Sequence, residues 1–146
     1  TMLSEQRRER FTTDQWLARD GLTDAEGWPG AGTSPDGRMR CDSQGCILRL
    51  QGWMIALPSS QAATLEDCRR ADIVISLEPI EGRCPSARIT IDRFDIWRAG
   101  AHALYLTPGG SPVVRNTRDD RGQRAWTPKP VARKNQYWRN SAASRP

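Results

Sequence analysis

The chain has 146 residues, of which 37% are hydrophobic and 27% charged, and its formal net charge is +5 at pH 7. This length and this lean apolar content predict one domain with polar extensions rather than two domains with separate cores. The longest aliphatic run, the four residues 54–57, is far shorter than the roughly 20 apolar residues of a membrane helix, which excludes a membrane span of this kind from the sequence.

The N-terminal third predicts one short helix followed by a loop. The opening Thr1-Met2 and the charged run SEQRRERF are typical of a segment cut from a longer protein, so we expect targeting information to lie upstream. In FTTDQWLARDG, Thr12 is the predicted N-cap, with Gln15 three residues later and Gly21 as the stop signal. The Gly, Pro and Asp content of residues 22–37 predicts a loop.

The middle of the chain predicts an antiparallel meander followed by a helix and a strand. RMRC and CILRLQ flank the tight turn DSQG, and WMIALP provides a third strand. TLEDCRRA then predicts a helix with Thr64 as its cap, and DIVIS predicts a short apolar strand. In the last third, SARITID, AHALYLT and SPVVRN predict strands, with a helical turn at RFDIWRAG. Strands interleaved with short helices indicate an α/β or α+β layered sheet with mixed or antiparallel strands.

The basic charge is concentrated at the C-terminus. Residues 1–116 contain 14 Arg against 15 acidic residues, for a balance of −1, whereas residues 117–146 have a balance of +6. The distal part has three prolines and no apolar periodicity, so we expect a folded domain over residues 1–126 and a basic, disordered tail over residues 127–146.

The four cysteines leave three interpretations open: two disulfides, reduced structural cysteines or a metal site. The gaps are four, 21 and 15 residues, unlike the paired C-x₂-C spacing of zinc sites. Cys41 and Cys46 flank the predicted hairpin turn, where cross-strand Cβ atoms approach disulfide distance. Cys68 and Cys84 could meet if the loop after DIVIS folds back over the preceding helix. We therefore favour disulfides within these two pairs.

Several ordered blocks resemble the C-terminal end of ComEC-family DNA-uptake proteins in their α-proteobacterial form. The resemblance covers most of residues 8–128 and rests on FTTDQWLARDG, CDSQGCILRLQG, LEDCRRADIVIS, CPSARITIDRFDIWRAGAHALYL and RGQRAWTP. It implies that the chain is the second half of a metallo-β-lactamase-like domain on the periplasmic face of the bacterial inner membrane. The rest of the protein would be a polytopic channel that imports single-stranded DNA during natural competence.

The resemblance also implies a test for catalysis. Metal-dependent hydrolases of that superfamily need several His and Asp ligands, but this chain has one histidine. Where the resemblance places an aspartate after WMIALP, the chain has Pro58, Ser59 and Ser60, and LEPI follows DIVIS. We therefore expect no catalytic residue, metal or cofactor in this segment, although ligands upstream could make the parent protein an enzyme.

Other candidate chemical groups have ordinary structural interpretations. We expect His102 to be satisfied by a backbone carbonyl. Asp92 is the predicted N-cap of the RFDIWRAG turn, and Asp95 is expected to pair with Arg98 at i,i+3. Three tryptophans within the predicted helices and strands are expected in the core; they are Trp16, Trp53 and Trp97.

The basic stretch is the predicted nucleic-acid contact. Four arginines recur every three residues, and in a loop or extended tail they can follow phosphates while nearby aromatic rings stack on bases. The predicted set is Arg115, Arg118, Arg121, Arg124, Trp126, Lys129, Arg133, Lys134 and Trp138. An anionic lipid surface is the alternative partner for the same charges.

Three function classes remain at this point. The first is a catalytically degenerate, β-lactamase-like domain of a DNA-import channel that contacts single-stranded DNA. The second is a metal-dependent nuclease domain with its ligands upstream, and the third is a small secreted, disulfide-bonded binding module.

Overall fold

The computed structural model describes residues 2–3 and 10–122, with side chains from residue 10 onward. It contains short helices and a mixed sheet, which confirms the α/β or α+β class. The elements are β1 (Met2–Leu3), α1 (Arg10–Arg19), β2 (Glu26–Gly27), β3 (Gly32–Thr33), β4 (Met39–Asp42), β5 (Gly45–Leu50), β6 (Trp53–Pro58), α2 (Gln61–Asp67), β7 (Ile73–Ile75), β8 (Ile89–Ile91), α3 (Arg93–Ala99), β9 (His102–Tyr105), β10 (Val113–Asn116) and α4 (Thr117–Arg121).

The main sheet has six strands in the order β3-β4-β5-β6-β7-β8. The strands from β3 to β6 pair antiparallel through short turns, whereas β6, β7 and β8 are parallel. Parallel neighbours need a longer crossover, and α2 provides it between β6 and β7. Separately, β1 and β2 form a short parallel pair, and β9 and β10 form an antiparallel ribbon. The predicted meander is therefore confirmed.

The register of the sheet places its apolar residues on both faces. On the face towards α2, Ile47 pairs with Ala56, which pairs with Val74. Ala56 and Val74 are fully buried against Cys68 and Ala71, at the C-terminal end of α2 and just beyond it. The other face carries the cross-strand row Met39, Leu48, Ile55, Ile73 and Ile89. Burial on both faces explains why the central strands read as continuous apolar runs.

Two predicted helix starts were wrong. Helix α1 begins at Arg10, so Thr12 lies inside it and is not its N-cap. Helix α2 begins after Ser60, whose hydroxyl accepts from the Ala63 N–H at 3.2 Å. Thr64 donates its own hydroxyl to the Ser60 carbonyl at 2.9 Å instead of capping. Ser60 is a better cap because its extended backbone aims the side chain at the free N–H groups of the first turn.

Three parts of the chain contain elements that the sequence did not predict, the first being β1 at Met2–Leu3. The loop at residues 22–37 contains the two-residue strands β2 and β3. Helix α4 occupies part of the predicted extended basic stretch, with Asn116 as N-cap and Gly122 after its last residue. The predicted tail, residues 127–146, lies outside the described residues.

Candidate functional site

The carboxyl ends of β6, β7 and β8 lie at one edge of the main sheet, because these three strands are parallel. Sheets with parallel strands commonly bind ligands at this edge. The resemblance to a metal-dependent hydrolase also places its missing ligands after β6 and β7. The residues at this edge therefore decide what chemistry the sheet can support.

The serines after β6 connect the first hairpin to α2. Ser60 caps α2, and the Ser59 hydroxyl donates to the Ser43 carbonyl at 3.1 Å. The Ser59 N–H also donates to the Gln44 carbonyl at 2.8 Å. Both serines thus hold the DSQG turn against the start of the helix. A serine nucleophile needs a base within hydrogen-bond reach, and the hydroxyls of these two serines are instead engaged with Ser43, Gln44 and the first turn of α2.

The buried carboxylate of Asp92 accepts hydrogen bonds both from the loop after β7 and from the residues after β8. Asp92 is fully buried and accepts from the N–H groups of Phe94 at 2.9 Å and Asp95 at 3.1 Å. Its other oxygen accepts from the Ile80 N–H at 3.3 Å, in the loop after β7. The Asp92 N–H in turn donates to the Asp95 carboxylate at 3.0 Å, which completes a capping box. The predicted N-cap is therefore confirmed, and this carboxylate is fully engaged in holding α3.

Asp92→Ala is expected to lower the free energy of unfolding by about 2 kcal/mol, because it leaves several backbone N–H groups without their buried acceptor. The control is Asn116→Ala, since Asn116 caps the exposed α4 by accepting from the Asp119 N–H alone. That change should cost less, about 1 kcal/mol. Urea denaturation followed by circular dichroism measures both. Equal losses of stability in the two variants would contradict the role assigned to Asp92.

His102 has the structural role predicted for it. Its Nδ1 lies 2.8 Å from the Gly100 carbonyl oxygen, which can only accept, so Nδ1 donates there. The predicted Asp95–Arg98 ion pair is also present, at 2.9 Å. Within the described residues, no group of three His, Cys, Asp or Glu side chains is arranged to hold a metal ion.

A cleft of about 350 Å³ separates β8 and α3 from the β9–β10 ribbon. Its polar lining includes Thr90, His102, Asn116 and the Asp95–Arg98 pair, and its apolar lining includes Ile89, Ile91 and Val114. The guanidinium and the carboxylate already satisfy each other, and His102 is held by a backbone carbonyl. Among the described residues that line this cleft, no nucleophile is paired with a base.

A second cleft of about 540 Å³ is lined by acidic residues, among them Asp24, Glu26 and Asp36. Asp36 accepts from the Ser34 hydroxyl at 2.6 Å, from the Arg38 N–H at 3.0 Å and from Arg38 Nε at 2.6 Å. These hydrogen bonds, with the Ser34 hydroxyl as the largest cause, lower the pKa of Asp36 to about 2. Asp36 thus orders the turn between β3 and β4.

The structure contains both disulfides favoured by the sequence. Cys41 and Cys46 are directly paired across β4 and β5, with their Cα atoms 4.1 Å apart. Cys68 is bonded to Cys84, and the intervening loop folds back over the end of α2. Ser86 fixes this loop by donating its N–H to the Cys68 carbonyl at 3.1 Å and its hydroxyl to the Arg69 carbonyl at 2.6 Å. Among the described residues no cysteine is free.

The described part of the predicted basic stretch is a strand followed by a helix, not a loop. Arg115 lies on β10 and forms an exposed ion pair with Asp120 at 2.5 Å. Arg118 and Arg121 lie three residues apart on α4 and are therefore neighbours on its surface. The other predicted contacts lie outside the described residues; they are Arg124, Trp126, Lys129, Arg133, Lys134 and Trp138.

The predicted burial of the tryptophans was wrong for two of the three. Trp16 on α1 is 58% exposed and Trp97 on α3 is 59% exposed. Trp53 is partly buried at the start of β6, where the Arg88 guanidinium lies 5.2 Å from the centre of its ring. Arg93, Phe94 and Trp97 share one side of α3, but their spacing alone does not show that this side is exposed.

Comparisons with family models, with curated proteins and with solved structures found no match. Among the helices that the structure describes, none has the length and apolar character needed to cross a bilayer.

Proposed function

We propose that the chain is an extracytoplasmic, catalytically degenerate β-lactamase-like domain of a membrane channel that imports single-stranded DNA. The main support for this proposal is that side chains at the carboxyl edge of the main sheet form helix caps and turn contacts. Ser60 and Asp92 are both committed to helix N-termini there. A hydrolase would need ligands or a nucleophile at the same places. The resemblance of several ordered sequence blocks supplies the link to DNA uptake.

The two disulfides support an oxidising compartment such as the periplasm, because cytosolic thiols are kept reduced. They support a small secreted binding module equally well, and that is the second candidate function. The two differ in what the basic C-terminal residues contact: the channel domain should bind single-stranded DNA, whereas the module gives no reason for DNA binding.

The proposal predicts that removing the C-terminal tail weakens DNA binding. A chain shortened after Trp126 lacks Lys129, Arg133, Lys134, Arg139 and Arg145. We expect its affinity for an oligo(dT) strand to fall. The slope of log K against log salt should flatten by about 0.7 for each phosphate that the shortened chain no longer neutralises. Fluorescence anisotropy at several salt concentrations measures both the affinity and the slope.

A full-length chain with glutamine at all five of these positions is the control for chain length. It should show the same flattening of the salt slope, because the charge rather than the length neutralises phosphates. Unchanged DNA affinity together with weaker binding to vesicles containing phosphatidylserine would contradict the DNA assignment and assign the tail to a lipid surface.

A further inference from the structure

The exposed face of α3 combines two aromatic rings with one guanidinium. Its exposed residues are Arg93, Phe94 and Trp97. Arg93 and Phe94 lie four and three positions before Trp97, so both are neighbours of Trp97 on one side of the helix. We propose that this face stacks the bases of single-stranded DNA, at a site separate from the basic tail. This inference rests on the proposed function and names a contact within the folded part of the chain.

Helix α4 brings positive charge to the end of α3 that carries Trp97. The Thr117 hydroxyl donates to the Ala99 carbonyl at 3.1 Å, and an Arg118 guanidinium nitrogen donates to the Arg98 carbonyl at 3.4 Å. Arg98 and Ala99 directly follow Trp97, and each helical residue rises about 1.5 Å along the axis. A strand whose phosphates follow α4 therefore has its bases within reach of the Trp97 ring.

Residues 115–121 contain three arginines and two aspartates, for a net charge of +1, and among the described residues neither Arg118 nor Arg121 forms an ion pair with the aspartates of α4. Asp120 is paired with Arg115 on β10, and Asp119 accepts from the Asn116 side-chain amide at 2.6 Å. Arg121 is exposed one turn beyond Arg118. The two arginines of α4 and Arg93 at the start of α3 thus provide the cations on either side of the aromatic face.

Helix α3 is anchored at its N-terminus and has one ion pair along its cleft side. Its N-terminus is fixed by the Asp92 capping box, and the Asp95–Arg98 ion pair lies on its cleft side. Aromatic side chains on a fixed helix lose little entropy when a base stacks on them, which favours binding.

The chemistry of the face favours nucleic acid over an apolar partner. Its exposed residues are two planar rings and a guanidinium, with no exposed aliphatic side chain on α3. Rings beside arginine are the combination that binds single strands without sequence preference, since every base has a face that can stack.

The test uses the full 146-residue chain with its disulfides formed, a labelled oligo(dT) and an abasic oligonucleotide of equal length. Trp97→Ala should weaken oligo(dT) binding about tenfold, the effect of losing one stacked base, without changing the salt dependence. Binding of the abasic strand should not change, because it offers phosphates but no bases. Trp97→Phe should recover part of the affinity.

Trp16→Ala is the matched control, since Trp16 and Trp97 have nearly equal exposure, 58% and 59%, on different helices. It should bind both oligonucleotides as the unmodified chain does. Equal oligo(dT) affinity for Trp97→Ala and Trp16→Ala overturns the stacking site, as does an equal weakening on the abasic strand. Failure of the unmodified chain to bind oligo(dT) overturns the proposed function and this site together.

Discussion

Replacing Cys68 and Cys84 together by alanine is expected to lower the free energy of unfolding by about 3 kcal/mol. The bond joins residues 16 positions apart, and closing a loop of this length removes conformational entropy from the unfolded chain. It also fixes the loop after β7 to Cys68, which is buried in the core beneath α2. Chemical denaturation under non-reducing conditions measures the change.

The pair Cys41 and Cys46 is the matched control, because its bond closes a separation of five residues. Alanine at both positions should cost about 2 kcal/mol, less than at the longer-loop pair. Cys41 and Cys68 are both buried, so the replacements remove similar packing at these positions. A larger destabilisation by the short-loop replacement would contradict the stabilising role assigned to the Cys68–Cys84 bond.

Gly45→Ala is expected to destabilise the fold by about 3 kcal/mol. Gly45 has a φ of 139°, which side chains rarely adopt, and it begins β5 after the DSQG turn. A Cβ there would overlap the Leu57 carbonyl oxygen and would lie 2.8 Å from the Pro58 Cα on the neighbouring strand. Because both obstacles are backbone atoms, the strands must separate locally. Thermal and urea denaturation report the change.

Gly52→Ala distinguishes the steric overlap from the strain of positive φ. Gly52 has a φ of 83° in the turn between β5 and β6, but an added Cβ would meet no atom within 4 Å. This control should cost about 1 kcal/mol. Similar destabilisation at the two glycines would show that close strand approach is not what requires glycine at position 45.

The sequence predicted those elements whose signals are local and strong. The β4–β5–β6 meander follows from apolar runs separated by DSQG and by Gly52. The predicted second strand included Gln51, but Gln51 lies with Gly52 in the turn, and both have positive φ. The Asp92 cap and the Asp95–Arg98 pair follow from spacing within one helical turn. In each case the residues that decide the structure lie within a few positions of one another.

Other features were missed because their signals are weak or depend on tertiary packing. Strands β2 and β3 have two residues each and are formed only by their partners. Helix α4 contains no apolar residue, although Asn116 as cap and Gly122 as stop were available signals. The exposure of Trp97 follows from which side of α3 packs against the sheet, which the local sequence alone does not determine.

The central claim is that the chain binds single-stranded DNA without cleaving it. The most direct measurement is the length of an end-labelled oligo(dT) recovered on a denaturing gel after incubation with the chain and Mg²⁺, Mn²⁺ or Zn²⁺. A native gel of the same samples shows the complex. We expect a retarded complex from which the strand is recovered at full length with every metal. Shortened products that disappear when a chelator is added would contradict the claim and identify a metal-dependent nuclease.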